Sequence, residues 1–379
     1  MKKICILSSH FFPIKSSSSS LIRDLVKKLL SLKYKITLVT LSGSNAGYRE
    51  INLKNLNYLR QTAKEIKSTN NYKRALSEIF SILILLYKIK KEKYYDYLVV
   101  YSPSMFWAFL IPFLKKKNTF LILRDLYPKW LVDNKILKEY SISYYFLKFV
   151  ENLLYRQCNK IFVQTRKDLK YLKKFKNNKT KLFTLENWVT EKGYIENEKQ
   201  KKRKYIRFLF TGVIGIAQDY NKLLEMIRYC EFKNYKSFFY FVGSGSKKEE
   251  FILKTKNFKN VIFFNNQNQN KLDKIILKCH ICLSTLSDKF KSDNFPGKIL
   301  RYMLFNKPIL IHAPGNNYLS ELIENNKLGL FSSTDDQLRN NLDTIFSEKN
   351  FLNEYGNNGV SLIKGKFSTI NAIKKLFKI

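Results

Sequence analysis

No stretch of this sequence is apolar for the length a bilayer demands. The longest such runs, Ile79–Tyr87 and Met105–Leu114, fall well short of the roughly 20 residues of a spanning helix, which excludes an integral membrane protein of the helical kind. No secretory leader is expected either: Met1-Lys2-Lys3 runs directly into Ile4–Ser8, of strand length and without a cleavage site. Cysteine is sparse. Cys5, Cys158, Cys230, Cys279 and Cys282 are scattered through apolar runs, the pattern of reduced thiols in a cytoplasmic protein rather than of a disulfide framework. Cys279-His280-Ile281-Cys282 has no second ligand pair to complete a zinc site, so a buried structural role is expected for it. Helix-turn-helix, zinc-finger and RNP patterns are all missing, so no specific nucleic-acid partner is expected.

Acidic residues are scarce as well, 30 against 69 Lys and Arg, giving a formal charge of +39. Part of this is compositional drift, since Lys, Asn and Ile are overused throughout. The asymmetry is more informative: residues 1–190 hold 37 basic and 12 acidic side chains, the remainder 32 and 18. A basic N-terminal half suits an anionic partner, lipid headgroups or nucleic acid. What the chain does have is a globular composition, 45% apolar and 15% aromatic, and 379 residues, enough for two domains of roughly 180 each.

Strand-length apolar runs alternate with helical patterns. Ile4–Ser8 leads through a loop, 10–20, into a helix with Leu21, Ile22, Leu25, Val26, Leu29 and Leu30 on one face. Ile36–Leu41 is the next strand. After a polar region come Tyr97–Tyr101, a helix started by Ser102-Pro103, and strands at Phe120–Arg124, Ile161–Gln164 and Leu182–Leu185. From Glu191 to Ile206 the sequence is charged and aperiodic, a linker between domains 1–190 and 207–355. The alternation then restarts, with strands at Arg207–Thr211, Phe238–Val242, Asn260–Phe264, Ile281–Thr285 and Pro308–His312. Segment 356–379 ends in a basic amphipathic helix expected to pack back on the first domain. The reading is α/β, two doubly wound parallel sheets in tandem.

Two loops carry chemistry. Gly212-Val213-Ile214-Gly215 follows a strand and precedes a helix, where bare amides meet negative charge; taken on its own, a structural tight turn is the favoured reading. Lys289 to Lys298 spans another strand-to-helix junction, with three lysines and the Pro296-Gly297 break, a credible diphosphate site. Solvated surface charge is the alternative for each lysine, and phosphate binding is favoured for Lys298 at the helix start.

These residues bring a resemblance into view. Thr211 to Asp219 resembles the donor loop of glycosyltransferase family 4, in the branch that makes bacterial O-antigen and capsule chains. Pro296-Gly297-Lys298-Ile299-Leu300-Arg301-Tyr302-Met303, Arg124 to Trp130, Glu186-Asn187-Trp188-Val189 and His10-Phe11-Phe12-Pro13 are similar to further landmarks, in order along nearly the whole chain. Within that branch the motifs look like those of L-fucosamine transferases. The resemblance implies the GT-B fold, two facing Rossmann-like domains, with a nucleotide-sugar on the second and the acceptor on the first. It implies a retaining, metal-independent transferase with no cofactor, in keeping with the lack of any Asp-x-Asp motif. The expected donor is a UDP-sugar, such as an N-acetylated deoxyhexosamine, and the expected acceptor a polyprenyl-diphosphate-linked saccharide at the anionic inner leaflet. Donor-binding residues would be Gly212, Gly215, Gln218, Lys291, Pro296, Gly297, Lys298 and Arg301, with Gly212 and Gly215 presenting amides and Lys298 neutralising the leaving group.

The sequence departs from the family pattern in places. Asp293 and Arg301 stand at the positions of two family glutamates, and Arg301 cannot accept hydrogen bonds from a ribose. Val213 replaces an Asn, and a serine run, Ser16–Ser20, replaces the glycine-rich acceptor loop. In the first domain His10 and Asp125 are the catalytic candidates beside Lys298, with Ser18 and Arg124 joining them at the acceptor. His10 is either a hydrogen-bonded loop residue or a substrate contact, and Asp125 either a cap or the group that orients the attacking hydroxyl. Short apolar runs with basic flanks, Met105–Leu114 and Phe146–Val150, fit a headgroup-level seat, and burial is preferred for the first. A catalytically silent GT-B scaffold and a basic nucleic-acid-binding protein are the rival readings.

Overall fold

Both halves of the chain form parallel sheets, each covered by the helices that link its strands. The computed structural model describes residues 1–9, 11, 16–42, 53–63, 71–89, 94–133, 135–175, 179–190, 204–215, 217–287, 295–348 and 350–378. It divides into one unit of Met1–Thr190 with Thr369–Ile379 and another of Glu191–Ser368.

The first unit holds β1 (Lys3–Ser8), β2 (Lys35–Ser42), β3 (Leu56–Thr62), β4 (Tyr95–Tyr101), β5 (Lys116–Leu123), β6 (Lys160–Val163) and β7 (Lys181–Thr184), in the order β3-β2-β1-β4-β5-β6-β7. Alternation along β1 sends Ile4 and Ile6 to one face and Cys5 and Leu7 to the other, all four fully buried. On the Ile4 side lie helix Ser17–Ser31, which buries Leu21, Ile22, Leu25, Val26 and Leu29, and helix Thr369–Phe377, which inserts Ile373, Leu376 and Phe377. On the Cys5 side lie helices Asn71–Ile89 and Ile142–Arg156. Burying each Leu, Ile or Phe in such layers is worth about 1.5–3 kcal/mol.

The second unit holds β8 (Ile206–Thr211), β9 (Ser237–Val242), β10 (Val261–Phe264), β11 (Ile281–Thr285), β12 (Ile309–His312) and β13 (Gly329–Ser332), ordered β10-β9-β8-β11-β12-β13. Phe208 stacks on Phe239 and Phe210 packs at a tilt against Phe241 within its core.

Several sequence expectations need correction. The serine run is not a loop: Ser16 caps the first helix, its Oγ accepting from the Ser19 N–H at 3.1 Å, and Ser17–Ser20 form the opening turn. The polar region before β4 contains β3 and the whole helix Asn71–Ile89. No long helix follows Ser102-Pro103; two 3-10 turns, Phe106–Phe109 and Ile111–Phe113, occupy Met105–Leu114 and bury most of it, as preferred. Of segment 356–379, the residues up to Ser368 cluster with the second unit and only Thr369–Ile379 with the first.

Candidate active site

Ligands of open parallel sheets gather at the carboxyl ends of strands where the strand order reverses. In the second unit that point lies between β8 and β11, so the loops after these strands flank it. Gly212 turns the chain with φ +113, and its N–H donates to the Val242 carbonyl at 2.9 Å. That amide is therefore not offered to a ligand, contrary to expectation. The Ile214 N–H likewise goes to the Ser244 carbonyl at 2.9 Å, and the Ile214 carbonyl accepts from Lys247 at 3.0 Å. The N–H groups of Val213 and Gly215 have no hydrogen-bond partner among the described residues, so they are the amides the loop leaves open.

The loop after β9 explains this shape. A Cβ on Gly243 would lie 1.9 Å from the Gly212 carbonyl oxygen, and one on Gly245 2.1 Å from that of Ile214. The two glycine loops run backbone against backbone, which no larger residue permits.

Lys298, the second residue of helix Gly297–Leu304, reaches back beneath this loop. Its ammonium donates to Gln218 Oε1 at 2.7 Å and sits 3.6 Å from the centroid of the Phe210 ring. No carboxylate pairs with it among the described residues, and burial alone pushes its pKa well below the ordinary lysine value. Tyr302, one turn on, hydrogen-bonds through its hydroxyl to the Thr211 N–H at 3.0 Å and Oγ1 at 2.8 Å, tying the helix to the end of β8. Pro296 occupies the residue before the helix and Gly297 its first position. Arg301 turns elsewhere. It pairs with Asp273 on helix Gln269–Lys278 and lies 5.6 Å from the Phe305 ring, so its guanidinium is committed within the protein rather than at the donor position. Lys291, Asp293 and His10 lie outside the described residues.

In the first unit the strand order reverses between β1 and β4. There Ser18, in the first turn of helix Ser17–Ser31, and Arg124, just after β5, flank the buried hydroxyl of Tyr101. The Arg124 backbone N–H donates to Ser102 Oγ at 2.7 Å and its Nη1 to the Leu185 carbonyl at 2.7 Å. Its guanidinium lies 5.1 Å from the Trp188 ring, while Nε and Nη2 are buried without a hydrogen-bond partner among the described residues. Asp125 lines a small recess with Ser102, Ser104, Tyr127, Glu151 and Tyr155. Burial pushes its carboxyl up, opposed by Arg124 and reinforced by Asp168. Glu151 in the same recess accepts from Lys148 at 2.7 Å and Tyr155 at 2.9 Å.

The structure thus gathers Gly212, Gly215, Gln218, Pro296, Gly297 and Lys298 at one sheet edge, and Ser18, Arg124 and Asp125 at another. Sequence reasoning passed over Gly243, Gly245, Phe210 and Tyr302. Gly243-Ser244-Gly245 directly after a strand was a legible signal for the first two. Cys279, His280 and Cys282 are all buried in the second unit, with His280 Nδ1 accepting from the Arg207 N–H at 2.9 Å.

Residues 192–361 match the family described as glycosyl transferases group 1. A curated relative, "Probable glycosyltransferase WbjE" of Pseudomonas aeruginosa, is 24% identical over 275 residues, 68% of this chain and 67% of its own. Among solved structures, Anabaena HepE in complex with UDP and glucose aligns with TM-score 0.70 and 12% identity over 100% of this chain and 99% of its own. WaaG, a glycosyltransferase involved in lipopolysaccharide biosynthesis, aligns with TM-score 0.68 and 12% identity over 99% of each chain. The match to glycosyl transferases group 1 thus covers most of the second unit, and the chain's two parallel-sheet units have the fold of GT-B glycosyltransferases.

Proposed function

We propose that this chain is a retaining glycosyltransferase that moves a sugar from a UDP-linked donor to a hydroxyl of a lipid-linked saccharide in surface polysaccharide assembly. The observation that carries the reading is the Lys298 ammonium, half-buried against Phe210 and Gln218 with no carboxylate partner among the described residues. A cation partly withdrawn from water gains from an anion beside it, and a diphosphate at the open amides of Val213 and Gly215 supplies one. As the bond between the sugar's anomeric carbon and the phosphate oxygen breaks, negative charge builds on that oxygen. Lys298 and the amides stabilise it there, and the acceptor's hydroxyl proton passes to the departing phosphate as the new glycosidic bond forms on the same face.

The donor nucleotide reading is supported by the UDP held in HepE. The polysaccharide reading is supported by the likeness to WaaG and by the motif resemblance. An N-acetylated deoxyhexosamine as the sugar and a polyprenyl diphosphate as the lipid carrier follow from that resemblance, as does an acceptor held near Ser18, Arg124 and Asp125. No metal or cofactor enters this scheme.

Thermal-shift titration with UDP, GDP and dTDP and their sugars tests the donor reading. UDP species are expected to raise the melting temperature in wild type and to lose that effect in Lys298→Ala. Slow release of UDP from the donor without acceptor is also expected. A protein that binds no nucleotide and releases none is a scaffold rather than an enzyme. Carbon-13 NMR of the product tests retention, and an inverted anomeric centre refutes it.

A further inference from the structure

Two helices of the first unit carry large apolar side chains on their outer faces. On helix Asn71–Ile89 these are Leu76, Phe80, Leu83 and Tyr87, spaced so that they fall within a sector of about 60°, with Tyr87 85% exposed. On helix Ile142–Arg156 they are Ile142, Tyr145, Phe146 and Phe149, with Ile142 90% exposed. The 3-10 turn Phe106–Phe109 packs against both helices, and Phe113 in the following turn is exposed too. The inner faces of the same helices supply Ile82, Leu85, Val150 and Leu154 to the core. Each helix is therefore apolar on two opposite sides, and only one side has a partner among the described residues of the unit.

Charge says what fits the other. The only carboxylate on helix Asn71–Ile89 is Glu78, 9% exposed, and the only one on helix Ile142–Arg156 is Glu151, 1% exposed. Both acids face inward. The outward charges are Lys73, Lys88 and Arg156, with Lys115 and Lys117 exposed beside Phe113. The outer face of the two helices is thus aromatic and aliphatic with basic exposed charges, Glu139 being exposed three residues before Ile142, and residues 1–190 as a whole carry 37 basic against 12 acidic side chains. A second copy of this chain would oppose like charges across the contact. An anionic bilayer surface offers hydrocarbon to the aromatics and phosphate to the lysines, with tyrosines at headgroup level.

We infer that the outer face of helices Asn71–Ile89 and Ile142–Arg156 is a seat for an anionic lipid bilayer, into which Phe80, Tyr87, Ile142 and Phe149 insert at the interface. It rests on the proposed function only for its purpose, presenting the first unit to a lipid-linked acceptor. The vesicle assay below uses no donor, so its failure and the failure of transfer are read separately.

The test is co-sedimentation of the full chain with phosphatidylcholine vesicles with and without phosphatidylglycerol. Wild type should partition onto the anionic vesicles and not the neutral ones, with partitioning weakened as added salt shortens the screening length. The variant Phe80→Ser/Tyr87→Ser/Phe149→Ser should lose at least tenfold in partition coefficient with an unchanged melting temperature, since these side chains support no core. Leu253→Ser, an exposed residue of the second unit at 67%, should partition as wild type. Equal binding of the triple variant and wild type overturns the inference. So does a wild-type dimer in light scattering that the triple variant breaks without any change in vesicle binding.

Discussion

Replacing Lys298 by methionine isolates the charge at the centre of the site. The stem keeps its packing on Phe210, and only the ammonium is lost. A hydrogen bond between charged groups contributes about 1.5–3 kcal/mol, and each 1.4 kcal/mol is about tenfold in affinity. UDP should therefore bind Lys298→Met between about ten and a hundred times more weakly, read by isothermal titration. The free protein should behave oppositely. Burial lowers the folded-state pKa of Lys298 from the ordinary lysine value of 10.5, so the folded state holds fewer protons than the unfolded one between the lowered value and 10.5. Stability then rises with pH across that window, and below it the buried charge is a net cost. Lys298→Met should remove this dependence and melt no lower than wild type near neutral pH. UDP affinity in wild type should fall as pH climbs through the lowered pKa, because the bound diphosphate needs the protonated form. The same titration on the variant should lack that step. An unchanged UDP affinity in Lys298→Met, or a free variant markedly less stable than wild type, refutes the assignment.

Three further outcomes follow from neighbouring groups. Tyr302→Phe leaves the buried Thr211 N–H without its acceptor, a loss of about 1–3 kcal/mol; calorimetry should show the second unit melting several degrees lower. Gly243→Ala drives a Cβ into the Gly212 carbonyl at a φ of +152. The two loops must separate, so soluble protein should bind UDP at least tenfold more weakly or the unit should fail to fold, as circular dichroism would report; wild-type binding refutes the close approach. Asp125 has a folded-state pKa raised above the ordinary aspartate value of 3.8, so its contribution to stability is fully present below 3.8 and lost as pH rises through the folded value. Asp125→Asn should therefore be more stable than wild type near neutral pH in urea unfolding, with part of the acid-side slope removed. Glu78 and Glu151 have raised carboxyls too and keep the rest.

The strands were legible because short apolar runs between polar turns admit few other structures, and helix Ser17–Ser31 because its buried residues repeat at helical spacing. Helix Asn71–Ile89 escaped for a physical reason. Its exposed side, Leu76, Phe80, Leu83 and Tyr87, is as apolar as its buried side, so the contrast on which periodicity depends is absent. The same lack of contrast is what marks the proposed bilayer seat. A reading that assumes one wet face per helix loses both at once. The serine run misled in the opposite direction, since a residue type that suits loops also caps helices, and Ser16 does the latter.

At the site, position along the sheet was legible and partnership was not. Lys298 was placed correctly at a strand-to-helix junction, but its contacts with Phe210 and Gln218 come from residues 88 and 80 positions away, brought together only by β8 and β11 pairing side by side. Gly212 was read as an amide donor because nothing local shows that Val242 takes its N–H. Arg301 was set at the donor by its position in the helix, yet Asp273, from the preceding helix, claims it. That pairing carries an argument of its own. A guanidinium held by a carboxylate offers the ribose neither an acceptor nor a free positive charge, so in the proposed reaction this helix must act on the donor through Lys298 at the diphosphate. Breaking the pair with Asp273→Ala should then destabilise the second unit, by leaving Arg301 half-buried and unpaired, while changing UDP affinity far less than Lys298→Met does. A comparable loss of affinity in the two variants would return Arg301 to the donor site.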